Sequence, residues 1–348
     1  MALYDRVSAL SLTVEGYEFE RLEQETSSEF TRVTTTIRLR GDDEVGRGED
    51  VCYDERDHEV FMDSPPALPT GEFTFESFSR ALDEVDLFPE PSEQDHAPHF
   101  RRWALESAAL DLALRQAGTS LADALDRTYD PVRFVVSTRL GDAGFSRIDQ
   151  LLERNPDAEF KLDPTADWTP ELVAQLAELD RIRLLDLKGL YEGTDVDVTP
   201  DPDLYRMVVE AFPDAIIEDP GFTDETRPIL AEHEDRISWD YPITGVESVR
   251  ELPFEPSWLN VKPSRFGTVR SLFETIDHCL ERGISMYGGG QFELGVGRQH
   301  LHALASLFYP DAPNDVAPSG YNEAVLTEDL PPSPLSPPEN ATGLLWGR

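Results

Sequence analysis

Leu184-Leu185-Asp186-Leu187-Lys188 is a short apolar run that ends in an acid and a lysine. Its length and its leucines suit a strand buried on both faces, with the polar pair where such a strand stops. Two other runs have the same form: Glu159-Phe160-Lys161-Leu162, followed by Asp163, and Leu259-Asn260-Val261-Lys262. Lys161, Lys188 and Lys262 are the only lysines of the chain, whose Lys+Arg total is 30. A surface that has shed lysine keeps it at three strand ends. Strand ends are where an α/β barrel does its chemistry, and lysine is the cation whose pKa moves readily on burial.

Working outward from these runs, residues 132–137, 159–162, 183–188, 215–218, 237–240, 258–262, 284–288 and 314–317 are all short and apolar. The segments between them carry apolar residues near a 3.6 period. Strands alternating with helices imply parallel βαβ units. A modified, TIM-like (β/α)-barrel is the economical solution, although it is compact against a usual barrel of about 250 residues. A doubly wound open sheet is the alternative, but no Gly-rich phosphate fingerprint follows the first strand. Residues 1 to about 60 alternate in strand fashion, as in Val33-Thr34-Thr35-Thr36-Ile37-Arg38-Leu39-Arg40, and 75–90 and 97–128 read as helices. Residues 18–30 are polar and read as a loop. The layout predicts an α+β capping domain over 1–128, the barrel over 129–322 and a Pro-rich, extended tail over 323–348.

Composition bounds the rest. The 348 residues carry 69 Asp+Glu and a formal net charge of -39. A nucleic-acid binder needs a basic footprint, so nucleic acid is not expected as a partner. The acids run along the whole chain, which fits a protein working at very high salt, where at about 1 M the Debye length is only about 3 Å. Cys52 and Cys279 read as buried thiols of a reducing compartment. No apolar stretch approaches the roughly 18 residues of a membrane span, and the first residues lack a signal-peptide layout. The expectation is a cytoplasmic protein with no membrane partner.

Asp186, Glu218 and Asp240 close three successive runs. Three converging carboxylates repel unless a hard cation sits between them, and oxygen-only ligation suits Mg²⁺. Lysines on either side suggest proton abstraction beside a carboxylate, with the metal holding the enediolate. Lys161 with Asp163, and Asp186 with Lys188, lie at i and i+2 and share a strand face. An ion pair of Asp163 with Lys161 or Lys188 is the plain alternative. In Gly288-Gly289-Gly290-Gln291-Phe292-Glu293, the backbone at Gly289 offers close approach to a substrate, with Gln291 and Glu293 at the pocket edge. The alternative there is a tight turn needing glycine dihedrals. Arg265, past Lys262, either binds an anion or pairs with acids. His300 and His302, at i and i+2 on a helix, face different sides and are not expected to be ligands.

These segments, in this order, resemble the enolase superfamily in its muconate-cycloisomerase-like branch (the mandelate racemase and muconate lactonizing enzyme group). Phe160-Lys161-Leu162-Asp163 looks like the second-strand Lys-x-Lys motif, and Asp186-Leu187-Lys188-Gly189 stands where the first metal ligand and its following Asn stand. Ile217-Glu218-Asp219-Pro220, Ser238-Trp239-Asp240 and Asn260-Val261-Lys262-Pro263 look like the second ligand, the third ligand and the sixth-strand base. Residues 288–297 look like the Gly-x-x-x-Glu-x-Gly-x-Gly segment, and residues 103–114 like the helix that ends the cap. The resemblance implies a Mg²⁺-dependent lyase or isomerase acting on a small carboxylate, with a cap loop over the barrel mouth and often a homo-oligomer. Two departures stand out. Asp163 occupies the place of the family's second lysine, and Lys188 that of its Asn. Proton transfer then falls to Lys262 with Lys161 or Lys188, or to Lys262 alone, which favours a one-base syn elimination or cycloisomerisation. A barrel that has lost catalysis and binds a metabolite is the competing reading. A phosphate-handling barrel would need a Gly-rich anion loop, and none stands out.

Overall fold

A computed structural model describes residues 1–26, 30–140, 145–191, 198–323 and 325–346. The N-terminal part of the chain is a cap. β1 (Ser11–Val14) pairs antiparallel with β5 (Gly71–Thr74), while β2 (Gly16–Glu25), β3 (Thr31–Gly41) and β4 (Glu44–Asp50) form an antiparallel sheet. Most of the segment expected as the 18–30 loop is therefore strand, and 27–29 lie outside the described residues. The physical reason is a two-sided ribbon. Tyr17 and Phe19 register with Leu39 and Ile37 on the core face. On the other face Glu18 and Glu20 pair diagonally with Arg40 and Arg38. The polar residues that suggested a loop are the wet side of a hairpin.

The cap sheet lies on a long helix, Ala97–Gln116, which ends earlier than the predicted 128 and is followed by a separate short helix, Leu121–Leu125. The predicted 75–90 helix is shortened to Phe75–Leu82. Sheet and long helix touch backbone to backbone: a Cβ added to Gly48 would stand 1.9 Å from the Ala104 carbonyl oxygen. Only glycine permits that approach.

The remainder carries a parallel sheet of seven strands in sequence order. These are β6 (Val136–Thr138), β7 (Phe160–Leu162), β8 (Ile182–Asp186), β9 (Ile216–Glu218), β10 (Ile237–Trp239), β11 (Trp258–Val261) and β12 (Ser285–Gly288). The predicted eighth strand is reduced to two single bridges. Asn314 bridges to Phe134 before β6, and Asp315 to Gly289 after β12, which closes the ring. The helices between strands start on side-chain caps, as at Thr169, Asp201 and Thr268. One apolar core runs through cap and barrel alike. Both cysteines are buried and free. The predicted extended tail is docked: Leu335 pairs with Val132, Gly343 bridges to Ser120, and the Leu344 N–H donates to Asp111 at 2.9 Å. No helix of the described residues is long and apolar enough to cross a membrane.

Candidate active site

Parallel strands in one ring bring their C-terminal ends to one mouth. Lys161 sits within β7, Asp186 ends β8, Glu218 ends β9, and Asp240 and Lys262 directly follow β10 and β11. Asp186 and Glu218 are directly paired in register. The Lys161 ammonium lies between them, 2.7 Å from Glu218 Oε1, 3.3 Å from Asp186 and 3.2 Å from Asp315, with the side chain 3% exposed. Lys188 Nζ stands 2.7 Å from Asp186 and 3.4 Å from Asp163, and is 18% exposed. Lys262 Nζ is 2.6 Å from Asp240. The two outer carboxylates thus each hold a lysine from their own end of the triad, and the middle one shares Lys161.

Several neighbours complete this layer. Tyr191 donates to Asp240 at 3.0 Å, and Arg265 donates to the Tyr241 carbonyl and lies 3.7 Å from Asp240 Oδ2. Arg265 therefore pairs with an acid here. Asn260 and Tyr287 donate to Glu218 at 3.3 and 2.5 Å. Asp219 accepts the backbone N–H groups of Asp240 and Tyr241, which fixes the turn carrying Asp240. Lys188, Asp219 and Phe292 are non-glycine residues in the left-handed region, with φ of 49°, 46° and 54°. Such conformations cluster where a site over-determines its backbone.

Burial pushes the Glu218 carboxyl up, partly offset by Lys161, to about 7. Burial also acts to raise Asp186 and Asp240. Lys188 and Lys161 outweigh it at Asp186, holding that group at about 2, and Arg265 and Lys262 outweigh it at Asp240, which lies well below the usual carboxylate range. Among the described residues no three acidic, histidine or cysteine side chains are already arranged as a metal cage, because ammonium groups bridge the carboxylates. Two observations nevertheless fit a divalent cation. Asp240 Oδ1 is buried and has no hydrogen-bond partner. And among the described residues six acids (Asp163, Asp186, Glu218, Asp219, Asp240, Asp315) face four cations, Lys161, Lys188, Lys262 and Arg265. The formal excess of two negative charges and the all-oxygen donor set suit Mg²⁺.

The glycine run behaves differently from the expected tight turn. None of Gly288, Gly289 and Gly290 has a positive φ. A Cβ on Gly289 would lie 2.3 Å from the Asn260 amide and 2.9 Å from Lys262 Cε, and one on Gly290 2.4 Å from Glu293 Oε2. The glycines make room for side chains of the mouth. Gln291 and Glu293 are buried beside them, and Gln291 is tied to the cap: Tyr53 donates to it at 2.9 Å, and Arg32 donates to its carbonyl at 2.9 Å. Glu49 of β4 accepts the backbone N–H groups of Leu294, Gly295 and Gly297 at the start of the helix Val296–Phe308. His302 contacts the Val316 carbonyl at 2.7 Å, and His300 is buried with neither ring nitrogen partnered. Neither faces the mouth's carboxylates.

Sequence reasoning missed Tyr191, Asn260, Tyr287 and Asp315 as members of this layer. Asn260 stood in a quoted motif, and its i, i+2 relation to Lys262 was the available signal. Tyr287 inside an apolar strand gave none.

Both halves of the chain match models of one family: residues 5–124 match the N-terminal and 128–323 the C-terminal domain of a domain of unknown function, DUF8230. An o-succinylbenzoate synthase of Bacillus subtilis (strain 168) is 29% identical over 238 residues, covering 65% of this chain and 62% of that protein. The match thus spans less than two thirds of that relative's length. A dipeptide epimerase from Methylococcus capsulatus, solved with a Mg ion, superposes with a TM-score of 0.71 at 17% identity, over 90% of this chain and 92% of that one. A muconate cycloisomerase from Pseudomonas fluorescens gives a TM-score of 0.66 at 18% identity, over 92% and 90%. The two model matches place the chain in the DUF8230 family, and its capped barrel has the fold of the enolase superfamily.

Proposed function

We propose that this protein is a Mg²⁺-dependent enzyme that removes a proton next to the carboxylate of a small acid, with a lyase or isomerase outcome. Asp186, Glu218 and Asp240 would hold the ion, which when bound supplies a Lewis acid for negative charge developing on the substrate carboxylate. Lys262 is the proton-transferring group. Its ammonium is held at the rim by Asp240, and Gly289 leaves it the space it occupies. Lys161 or Lys188 serves as the second group or as a cation beside the substrate. Asp163, Gly289, Gln291 and Glu293 line the substrate side. The observation that carries this reading is the arrangement of Asp186, Glu218 and Asp240 at three successive strand ends, with a lysine on each outer member.

The test is solvent deuterium exchange followed by NMR, with Mg²⁺ in concentrated KCl and a panel of small carboxylic acids. Wild type should exchange a carbon-bound proton of at least one acid, and Lys262→Ala should lose that exchange. Folded, Mg²⁺-binding wild type that exchanges none sinks the enzymatic reading. It would favour a barrel that binds a metabolite without turnover, a second reading supported by Asp163 where the resembled motif has a lysine.

A further inference from the structure

Glu218 is gripped more closely than either of its neighbours. It is fully buried, and both its oxygens are engaged. Oε1 faces Lys161, which also contacts Asp186, so this oxygen is turned toward the triad. Oε2 accepts the hydroxyl of Tyr287 at 2.5 Å from across the barrel interior. The Tyr287 hydroxyl is in turn 2.7 Å from Ser238 Oγ, so with Tyr287 donating to Glu218, Ser238 donates to Tyr287. Register explains the assembly. Ser238 pairs with Glu218 across β9 and β10, and Tyr287 pairs with Asn260 across β11 and β12. Asn260 also donates to Oε1.

We propose that Tyr287 is a positioning residue: by occupying Glu218 Oε2 it keeps Oε1, which Lys161 and Asn260 contact here, as the oxygen turned toward the metal. The proposal rests on the Mg²⁺ reading above and names a group that reading does not use. A carboxylate free to turn about its last bond presents either oxygen. Mg²⁺ demands near-ideal octahedral geometry and takes defined oxygens at short distance. Partners behind a metal ligand fix its orientation, and their loss costs roughly ten- to a hundredfold in metal affinity. Tyr287 is the only donor to Oε2 among the described residues, and phenylalanine keeps its ring packing while deleting that donor.

The experiment is calorimetric titration of Mg²⁺ into metal-free wild type, Tyr287→Phe and Ser238→Ala, with no substrate present. Tyr287→Phe should bind Mg²⁺ roughly ten- to a hundredfold more weakly while its fold, followed by circular dichroism, is retained. Ser238→Ala, which removes only the donor behind Tyr287, should show a smaller loss of the same sign, and it carries the test if Tyr287→Phe does not fold. Affinities indistinguishable from wild type in both variants overturn the positioning role and leave the metal reading standing. A wild type that takes up no Mg²⁺ overturns both, and is told apart by its own silent titration.

Discussion

At the scale of the residue, three lysines with one chemistry have three different settings. Lys161 is enclosed by carboxylates from β8, β9 and the closing segment, and is 3% exposed. Deleting one member of a buried charge cluster leaves the others unpaired, a cost of roughly 3–5 kcal/mol. Lys161→Met should therefore lower the unfolding free energy of the metal-free protein by about that much. Lys188→Met, which takes from buried Asp186 one of its two ammonium partners but leaves Lys161 in place, should cost less, about 1–3 kcal/mol. Urea unfolding of the two variants checks this, and equal losses would show that Lys161 is not the internal counter-ion described. The scarcity of lysine made these three legible in the sequence. Tyr287 and Asp315 were not, because a tyrosine in an apolar strand and an acid in an acid-rich chain look ordinary until register turns them inward.

At the scale of the element, cap and barrel meet where the carboxylate of Glu49 accepts three backbone N–H groups at the start of the helix Val296–Phe308. A carboxylate there satisfies orphaned donors and complements the helix dipole. Glu49→Ala should cost about 1–3 kcal/mol. It should also speed amide hydrogen exchange at 294–297, while exchange in β7 and β8 is unchanged. Uniform acceleration across the barrel would mean general loosening and no local latch. Seven barrel strands were readable because parallel strands buried on both faces are continuous apolar runs. β2 was not, since a ribbon with one wet face and diagonal ion pairs carries the composition of a loop. The eighth strand was over-read: two bridges suffice to close the ring, and an apolar run says nothing about how many ladder bonds it makes.

At the scale of the whole molecule, a formal charge of -39 repels itself in dilute buffer. Several exposed arginines are spent on pairs such as Arg56 with Glu90 and Arg282 with Glu255. Screening shortens the reach of the remaining repulsion from about 10 Å at 0.1 M salt to about 3 Å at 1 M. The melting temperature should therefore climb steeply with KCl. A melting temperature independent of KCl would reject the reading of the charge as an adaptation to brine. The docked tail carries a different consequence. Asp111, buried in the middle of the long cap helix, accepts the Leu344 N–H, and Trp346 packs against Tyr129. Because a ribosome makes the chain from its N-terminus, the cap cannot reach its finished form when its own residues emerge. It must wait, with Asp111 held by the Arg47 N–H and Arg115 but still short of the Leu344 donor, until the entire barrel has been synthesised behind it.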